Sequence, residues 1–233
     1  MELVRPLGRT SFPNIVFDSF IGTTHKTNED KTFVLSNESY TILAVFDGVG
    51  SAKNNSLATR LASEFIAYRH SDYYAESKNE FRLRDMICEL NKDIVSHPNA
   101  KSSALSTCAV CIYICRTSTL LLVTLGDTRV YAVGKHYVAK LTEDDVIHPG
   151  SNVITKCLGI DLDKQDVPEM VINSFKDDIL ICSDGFYNLL EETRTDFFDA
   201  LLKKRPSAIK RNIQSLVSNK NTDDASYVLF KNV

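Results

Sequence analysis

The sequence lacks long apolar runs, an excess of basic residues and a basic-then-apolar N-terminal segment, and each absence excludes a class of protein. No stretch approaches the roughly 20 apolar residues needed to span a bilayer, so we expect no membrane partner. The formal net charge is −3, which argues against nucleic acid as a partner. Residues 1–14 do not have the layout of a signal peptide, and the expected location is therefore the cytoplasm.

The six cysteines indicate neither disulfides nor a zinc site. Cys108, Cys111 and Cys115 lie on one predicted strand, and Cys182 lies on another. Because neighbouring strand residues alternate between faces and no histidine lies nearby, these thiols do not converge as ligands. Without a secretion signal, we interpret them as reduced, buried and small hydrophobic residues.

The hydrophobic pattern predicts one α+β domain over residues 1–233, with residues 1–20 forming an N-terminal arm or an edge strand. Short apolar segments rich in β-branched residues, with period-two alternation from Ala104 onward, predict strands at 31–35, 40–46, 104–115, 119–125, 129–133, 137–141, 169–174, 178–183 and 225–230. We expect the four strands between 104 and 141 to form an antiparallel meander. Helical spacing of apolar residues predicts helices at 56–69 and 80–95, and a helical region that begins at 185–190 and continues through 195–217.

Acidic residues recur where the predicted strands end. Asp47, Asp127 and Asp184 each close an apolar run beside a glycine. Glu29-Asp30 and Asp223 stand directly before strands. Each residue alone could be an ordinary turn or a solvated charge, but their shared placement indicates one oxygen-rich site. Such a site suits Mg²⁺ or Mn²⁺, and two ions sharing a carboxylate could clamp a phosphate and activate a water molecule.

A set of short motifs makes this interpretation more specific. In chain order they are Asn28-Glu29-Asp30, Phe46-Asp47-Gly48-Val49-Gly50, Thr107, Leu125-Gly126-Asp127-Thr128-Arg129, Ile154-Thr155 with Leu158-Gly159, Cys182-Ser183-Asp184-Gly185 and Asp223-Asp224-Ala225-Ser226. The set resembles the metal-dependent type 2C (PPM) protein serine/threonine phosphatases, bacterial members above all. The resemblance covers about residues 21–231. It implies a four-layer α-β-β-α sandwich of two antiparallel sheets, and hydrolysis of phosphoserine and phosphothreonine in proteins by a metal-bridging hydroxide.

The resemblance also implies a role for each matching residue. Asp47 would bridge two Mn²⁺ or Mg²⁺ ions, and the Gly48 carbonyl would bind one of them. Asp184 and Asp223 would hold the other ion, and Asp127 would support a weaker third. Glu29 and Asp30 would orient metal-bound water molecules.

Several positions depart from the family pattern. His25 stands where an arginine usually clamps the substrate phosphate, so we expect His25 or the adjacent Lys26 to bind it, the alternative being that His25 is inert. In the loop after Gly50, Lys53 could face the substrate. Asp145 replaces the usual histidine of the flap segment, which starts at Leu141-Thr142, and Asp224 replaces an asparagine.

These departures leave more than one function open. The first is an active, monomeric protein phosphatase. The alternative is a phosphatase-like binding or regulatory module with weak or no turnover because of His25. A third is a phosphohydrolase acting on a small molecule; the lack of a GxxxxGK loop followed by Ser or Thr excludes only a P-loop NTPase.

Overall fold

A computed structural model describes residues 13–50, 54–100 and 103–232 of the chain. Its framework is a pair of five-stranded sheets in which every pairing is antiparallel. The first sheet has the order β1 (Ile15–Phe20), β12 (Ala225–Phe230), β11 (Asp178–Cys182), β8 (Arg129–Val133) and β9 (Val138–Lys140). The second has the order β10 (Met170–Ile172), β7 (Thr119–Leu125), β6 (Ser106–Ile114), β3 (Tyr40–Gly48) and β2 (Lys31–Ser36).

Five helices cover the outer faces of the two sheets. They are α1 (Asn55–Arg69), α2 (Leu83–Ser96), α3 (Asp184–Glu192), α4 (Arg194–Leu201) and α5 (Pro206–Val217). Helices α1 and α2 pack on the second sheet, and α3 to α5 pack on the first. A small ladder of β4 (Tyr74–Ala75) and β5 (Glu80–Phe81) connects α1 to α2.

Period-two alternation along the strands separates the layers. In β3, Ile42, Ala44 and Phe46 pack against the helices, whereas Leu43 and Val45 enter the core between the sheets. Strand β12 divides its residues in the same way between α3–α5 and the inter-sheet core. Because a strand buried on both faces must be apolar throughout, both strands are nearly continuous hydrophobic runs. The predicted α+β sandwich with four layers is therefore confirmed.

The predicted helical region at 195–217 is helical but interrupted. The structure places two helices there, α4 and α5, separated by residues 202–205. Pro206 occupies the first position of α5. Proline has no N–H to donate to the preceding turn and its ring clashes there, so it begins a helix and cannot continue one.

The predicted meander from 104 to 141 is wrong. Strands β6 and β7 pair in the second sheet, but β8 and β9 pair in the first. The chain crosses between the sheets at Gly126, where φ is +94° and a Cβ atom would overlap the Thr107 side chain. Only glycine adopts this conformation without strain, and the crossing leaves Asp127 where the two sheets meet.

The remaining expectations have mixed outcomes. Residues 15–20 form an edge strand, whereas residues 1–12 and Lys53 lie outside the described residues. The second helix begins at Leu83, three residues after the predicted start, because residues 80–81 belong to β5. All six cysteines are free thiols. Within the described ranges, no helix has the length and apolar character required to cross a bilayer.

Candidate metal centre

Carboxylates from distant parts of the chain line one cavity of about 320 Å³. Asp47 is near the end of β3, Asp127 lies at the crossing between β7 and β8, Asp184 begins α3 and Asp223 precedes β12. Gly48 lines the same cavity. The structure therefore brings together every residue that the sequence suggested as a metal ligand, and we call this space the carboxylate cavity.

Close packing at the start of α3 places Asp184 next to Asp223. The Ser183 N–H donates to the Ser226 carbonyl at 3.1 Å, and the Ser226 N–H donates to Ser183 Oγ at 2.9 Å. A Cβ atom at Gly185 would overlap the carbonyl oxygen of Asp224. Glycine is therefore required here for α3 to begin against the start of β12.

The carboxylates of the cavity carry uncompensated negative charge. Burial, followed by the charges of Asp30, Asp184, Asp127 and Asp223, raises the pKa of Asp47 well above its ordinary value. Burial, Asp223 and Asp127 raise the pKa of Asp184 to about 7. Since burial and like charges both disfavour ionisation, the group would gain stability from a bound cation.

Glu29 and Asp30 lie behind the residues that line the cavity. Asp30 is only 2% exposed, burial raises its pKa to about 7, and its Oδ2 has no hydrogen-bond partner among the described residues. The Asn55 side chain donates to Glu29 Oε2 at 3.0 Å. The Thr59 hydroxyl donates to the Glu29 carbonyl at 2.8 Å. The start of α1 thus fixes the position of Glu29.

His25 contacts acidic side chains and does not line the carboxylate cavity. Its Nε2 lies 3.4 Å from Asp223 Oδ1, and its Nδ1 lies 3.3 Å from Asp224 Oδ1. Burial lowers the pKa of His25, but the hydrogen bond to Asp224 and the charges of Asp224, Asp223 and Glu29 outweigh that effect and raise it. Lys26, the other suggested phosphate ligand, is exposed.

Asp224 has a role that sequence reasoning missed. Its buried carboxylate accepts the Gly22 N–H at 2.8 Å and the Glu29 N–H at 2.7 Å, one on each oxygen. These bonds tie residues 22–29 to the start of β12. Their partners are about 200 positions apart in the chain, so no local pattern could have indicated them.

Arg129 is a second residue whose role was missed. It forms a bidentate pair with Asp144, with Nε 3.0 Å from Oδ1 and Nη2 2.7 Å from Oδ2. Its Nη1 lies 2.7 Å from Glu191 Oε1, and its guanidinium lies 3.6 Å from the centre of the Tyr187 ring. Asp144 begins the segment 144–154, which lines one side of the carboxylate cavity. Arg129 therefore anchors that segment to α3.

The donors of the cavity suit a hard divalent cation. Carboxylate and carbonyl oxygens line it, and among the described residues neither histidine nor cysteine does. In the described ranges, no group of three or more His, Cys, Asp or Glu side chains is arranged so that it could hold a metal ion. Mg²⁺ does not require such a group, since it keeps several water molecules and binds through one or two carboxylates. The residues present thus fit a hydrated oxygen-ligand ion and not a zinc site.

Comparisons with known proteins place the chain beside other sequences. The family model described as Protein phosphatase 2C matches residues 22–217. The serine/threonine phosphatase stp of Listeria monocytogenes is 26% identical over 210 residues, which cover 80% of this chain and 82% of the relative.

Solved structures with low sequence identity share the fold. The serine/threonine phosphatase Stp1 from Staphylococcus aureus superposes with a TM-score of 0.77 at 19% identity, covering 97% of this chain and 98% of the other. A bacterial serine phosphatase superposes with a TM-score of 0.78 at 18% identity, covering 94% and 97%.

Proposed function

Because the chain belongs to the protein phosphatase 2C family, we propose that it hydrolyses phosphoserine and phosphothreonine in proteins with the help of Mn²⁺ or Mg²⁺. One observation carries the proposal. The elements bearing Asp47, Asp127, Asp184 and Asp223 are far apart in the sequence, yet the carboxylates line a single cavity. Burial and neighbouring carboxylates raise the pKa values of Asp47 and Asp184, which supports a cationic occupant.

Each ligand has an assigned position in this proposal. Asp47 and the Gly48 carbonyl would hold one ion, Asp184 and Asp223 a second, and Asp127 a third. When bound, such ions would supply an activated water molecule at neutral pH and neutralise the charge of the phosphate. The proposal includes no covalent intermediate on the protein.

The surrounding side chains would orient the reactants. Asn55 holds the Glu29 carboxylate, so that Glu29 can order water in the site. Asp30, with its unpartnered buried oxygen, would accept a hydrogen bond from such a water molecule. His25 and Lys26, on the loop that Asp224 fixes, would attract the substrate phosphate as the phosphoprotein approaches.

Phosphate release from a phosphothreonine peptide tests the proposal. Activity should require Mn²⁺ or Mg²⁺ and disappear with a chelator. Asp47→Asn or Asp184→Asn should lower it by about 100-fold or more, beyond the 10–100-fold typical of residues that only orient ligands. Asp93→Asn, on the exposed side of α2, is the matched control and should change nothing. Equal activity with and without metal would refute the proposal.

The contacts of His25 define the competing function. Its ring faces Asp223 and Asp224 at 3.4 and 3.3 Å, whereas a phosphate clamp needs a free donor. A binding or regulatory module would take up Mn²⁺ in calorimetry but release no phosphate. In that case, His25→Arg should restore turnover if the substitution is the cause.

A further inference from the structure

A second cavity, of about 430 Å³, adjoins the carboxylate cavity. It lies between the β8–β9 hairpin and helices α3 and α4, and we call it the lateral cavity. Its wall includes the apolar side chains of Leu190, Phe198 and Leu201. Leu190 and Leu201 are buried in the core beneath the first sheet. Phe198 is partly exposed and offers the surface for an apolar group.

The rim of the lateral cavity carries basic side chains. His136, Lys140 and Arg194 line it, and all three are exposed, but Lys140 pairs with Asp144 at 3.4 Å. Glu191 also lines it, but its Oε1 is paired with Arg129 at 2.7 Å. Arg194 makes no ion pair with any described residue. The rim is therefore complementary to a negatively charged group, although the whole chain has a net charge of −3.

The ion pair of Arg129 and Glu191 lies between the two cavities. Arg129 lines the carboxylate cavity, and its partner Glu191 lines the lateral cavity. Helix α3 begins at Asp184 in the first cavity and reaches Glu191 seven residues later. At 1.5 Å per helical residue this separation is about 10 Å. An extended peptide covers that distance in about three residues.

We propose that the lateral cavity binds the part of the substrate protein that flanks the phosphorylated residue. An apolar side chain about three to five residues from the phosphorylated one packs against Phe198, and a neighbouring acidic side chain pairs with Arg194. This inference rests on the proposed phosphatase activity and adds to it a preference for one class of sequence. The carboxylate cavity would hold the phosphate, and the lateral cavity selects the substrate.

The test compares phosphothreonine peptides that differ only in their flanks. One set carries Phe-Glu three to five residues before or after the phosphothreonine, and the other carries Ala-Ala there. p-Nitrophenyl phosphate, which is too small to reach the lateral cavity, reports on the metal centre alone. With Mn²⁺ present, we expect a KM about tenfold lower for the better Phe-Glu peptide, equivalent to ~1.4 kcal/mol, at similar kcat.

Two variants assign that preference to the lateral cavity. Arg194→Glu should raise the KM of the Phe-Glu peptide to that of the Ala-Ala peptide and leave p-nitrophenyl phosphate turnover unchanged. Thr195→Trp, from an exposed position on the rim, should fill the cavity and act in the same way. Arg211→Glu, on the exposed side of α5, is the matched control and should behave like the unmodified protein.

The outcomes separate this inference from the proposed function. Equal KM values for both peptide sets, with p-nitrophenyl phosphate still hydrolysed, would overturn the inference and leave the phosphatase standing. Loss of all metal-dependent turnover would instead refute the phosphatase. In that case, fluorescence anisotropy of the same peptides, now labelled, still tests the inference by measuring binding. Tighter binding of the Phe-Glu peptide that Arg194→Glu abolishes would support the lateral cavity as the binding site. Equal binding of both peptides would overturn the inference. A dimer that only Arg194→Glu dissociates would show that a second copy of the chain occupies the cavity, which also overturns it.

Discussion

Replacing Asp224 with asparagine should destabilise the protein although the new side chain has nearly the same shape. The carboxylate accepts the Gly22 N–H on one oxygen and the Glu29 N–H on the other, at 2.8 and 2.7 Å. An asparagine side chain has a single acceptor oxygen, and its NH₂ group would face the second N–H. One charge-assisted hydrogen bond is therefore lost, and one buried donor is left without a partner.

The magnitude follows from these two effects. A hydrogen bond to a charged group contributes about 1.5–3 kcal/mol, and an unsatisfied buried donor costs about 1–3 kcal/mol. Some relaxation of the loop at residues 22–29 will recover part of the loss. We expect the free energy of unfolding to fall by about 2–4 kcal/mol, a large part of the 5–15 kcal/mol typical of a domain.

The neighbouring carboxylate supplies the control. Asp223 is exposed, so Asp223→Asn should change the free energy of unfolding by about 0.5 kcal/mol or less. The same substitution should weaken the rise in Tm that we expect from Mn²⁺. Urea unfolding followed by circular dichroism measures the first quantity, and thermal unfolding with and without Mn²⁺ the second. If Asp224→Asn unfolds at the same urea concentration as the unmodified protein, the tie between the loop and β12 has no energetic importance.

Three further predictions follow from the packing, charge and burial described above. Gly185→Ala should lower Tm because the new Cβ atom would overlap the Asp224 carbonyl oxygen, although alanine is the better helix former. An unchanged or higher Tm would contradict this prediction. Burial raises the pKa values of Asp30 and Asp184 to about 7. The free energy of unfolding of the metal-free protein should therefore fall as pH rises from about 4 towards 7, because the folded state holds these protons more tightly than the unfolded state. Since Mn²⁺ would compete with these protons, it should raise Tm more at pH 8 than at pH 6. Equal increases at both pH values would refute that expectation. Of the six cysteines, only Cys115 is exposed, so a thiol reagent should label it first in the folded protein, and faster labelling of another cysteine would contradict the packing.

Features encoded locally could be predicted from the sequence. A short, continuous run of β-branched and aromatic residues predicted a strand at 40–46, and the structure has Tyr40–Gly48. The carboxylates at strand ends could be recognised because the turn residues beside them are their sequence neighbours.

Features that depend on distant partners could not be predicted. The sequence shows that residues 119–125 and 129–133 are strands, but not that the chain changes sheets between them, since pairing partners lie elsewhere in the chain. The Arg129 pair with Asp144 and the Asp224 bonds to Gly22 and Glu29 span 15 to 202 positions. Such contacts follow from the tertiary fold, and no periodicity encodes them.

The position of β12 between β1 and β11 has a consequence for the order in which the protein is made. During translation, Asp223 leaves the ribosome after Asp47, Asp127 and Asp184. Strand β1 remains unpaired until β12, its partner in the first sheet, has been synthesised. A nascent chain interrupted before residue 223 therefore holds an unpaired first strand and an incomplete set of carboxylates. Once residues 223–230 have been synthesised, β12 closes the first sheet and Asp223 completes the cavity in one step, so the proposed activity would require this segment.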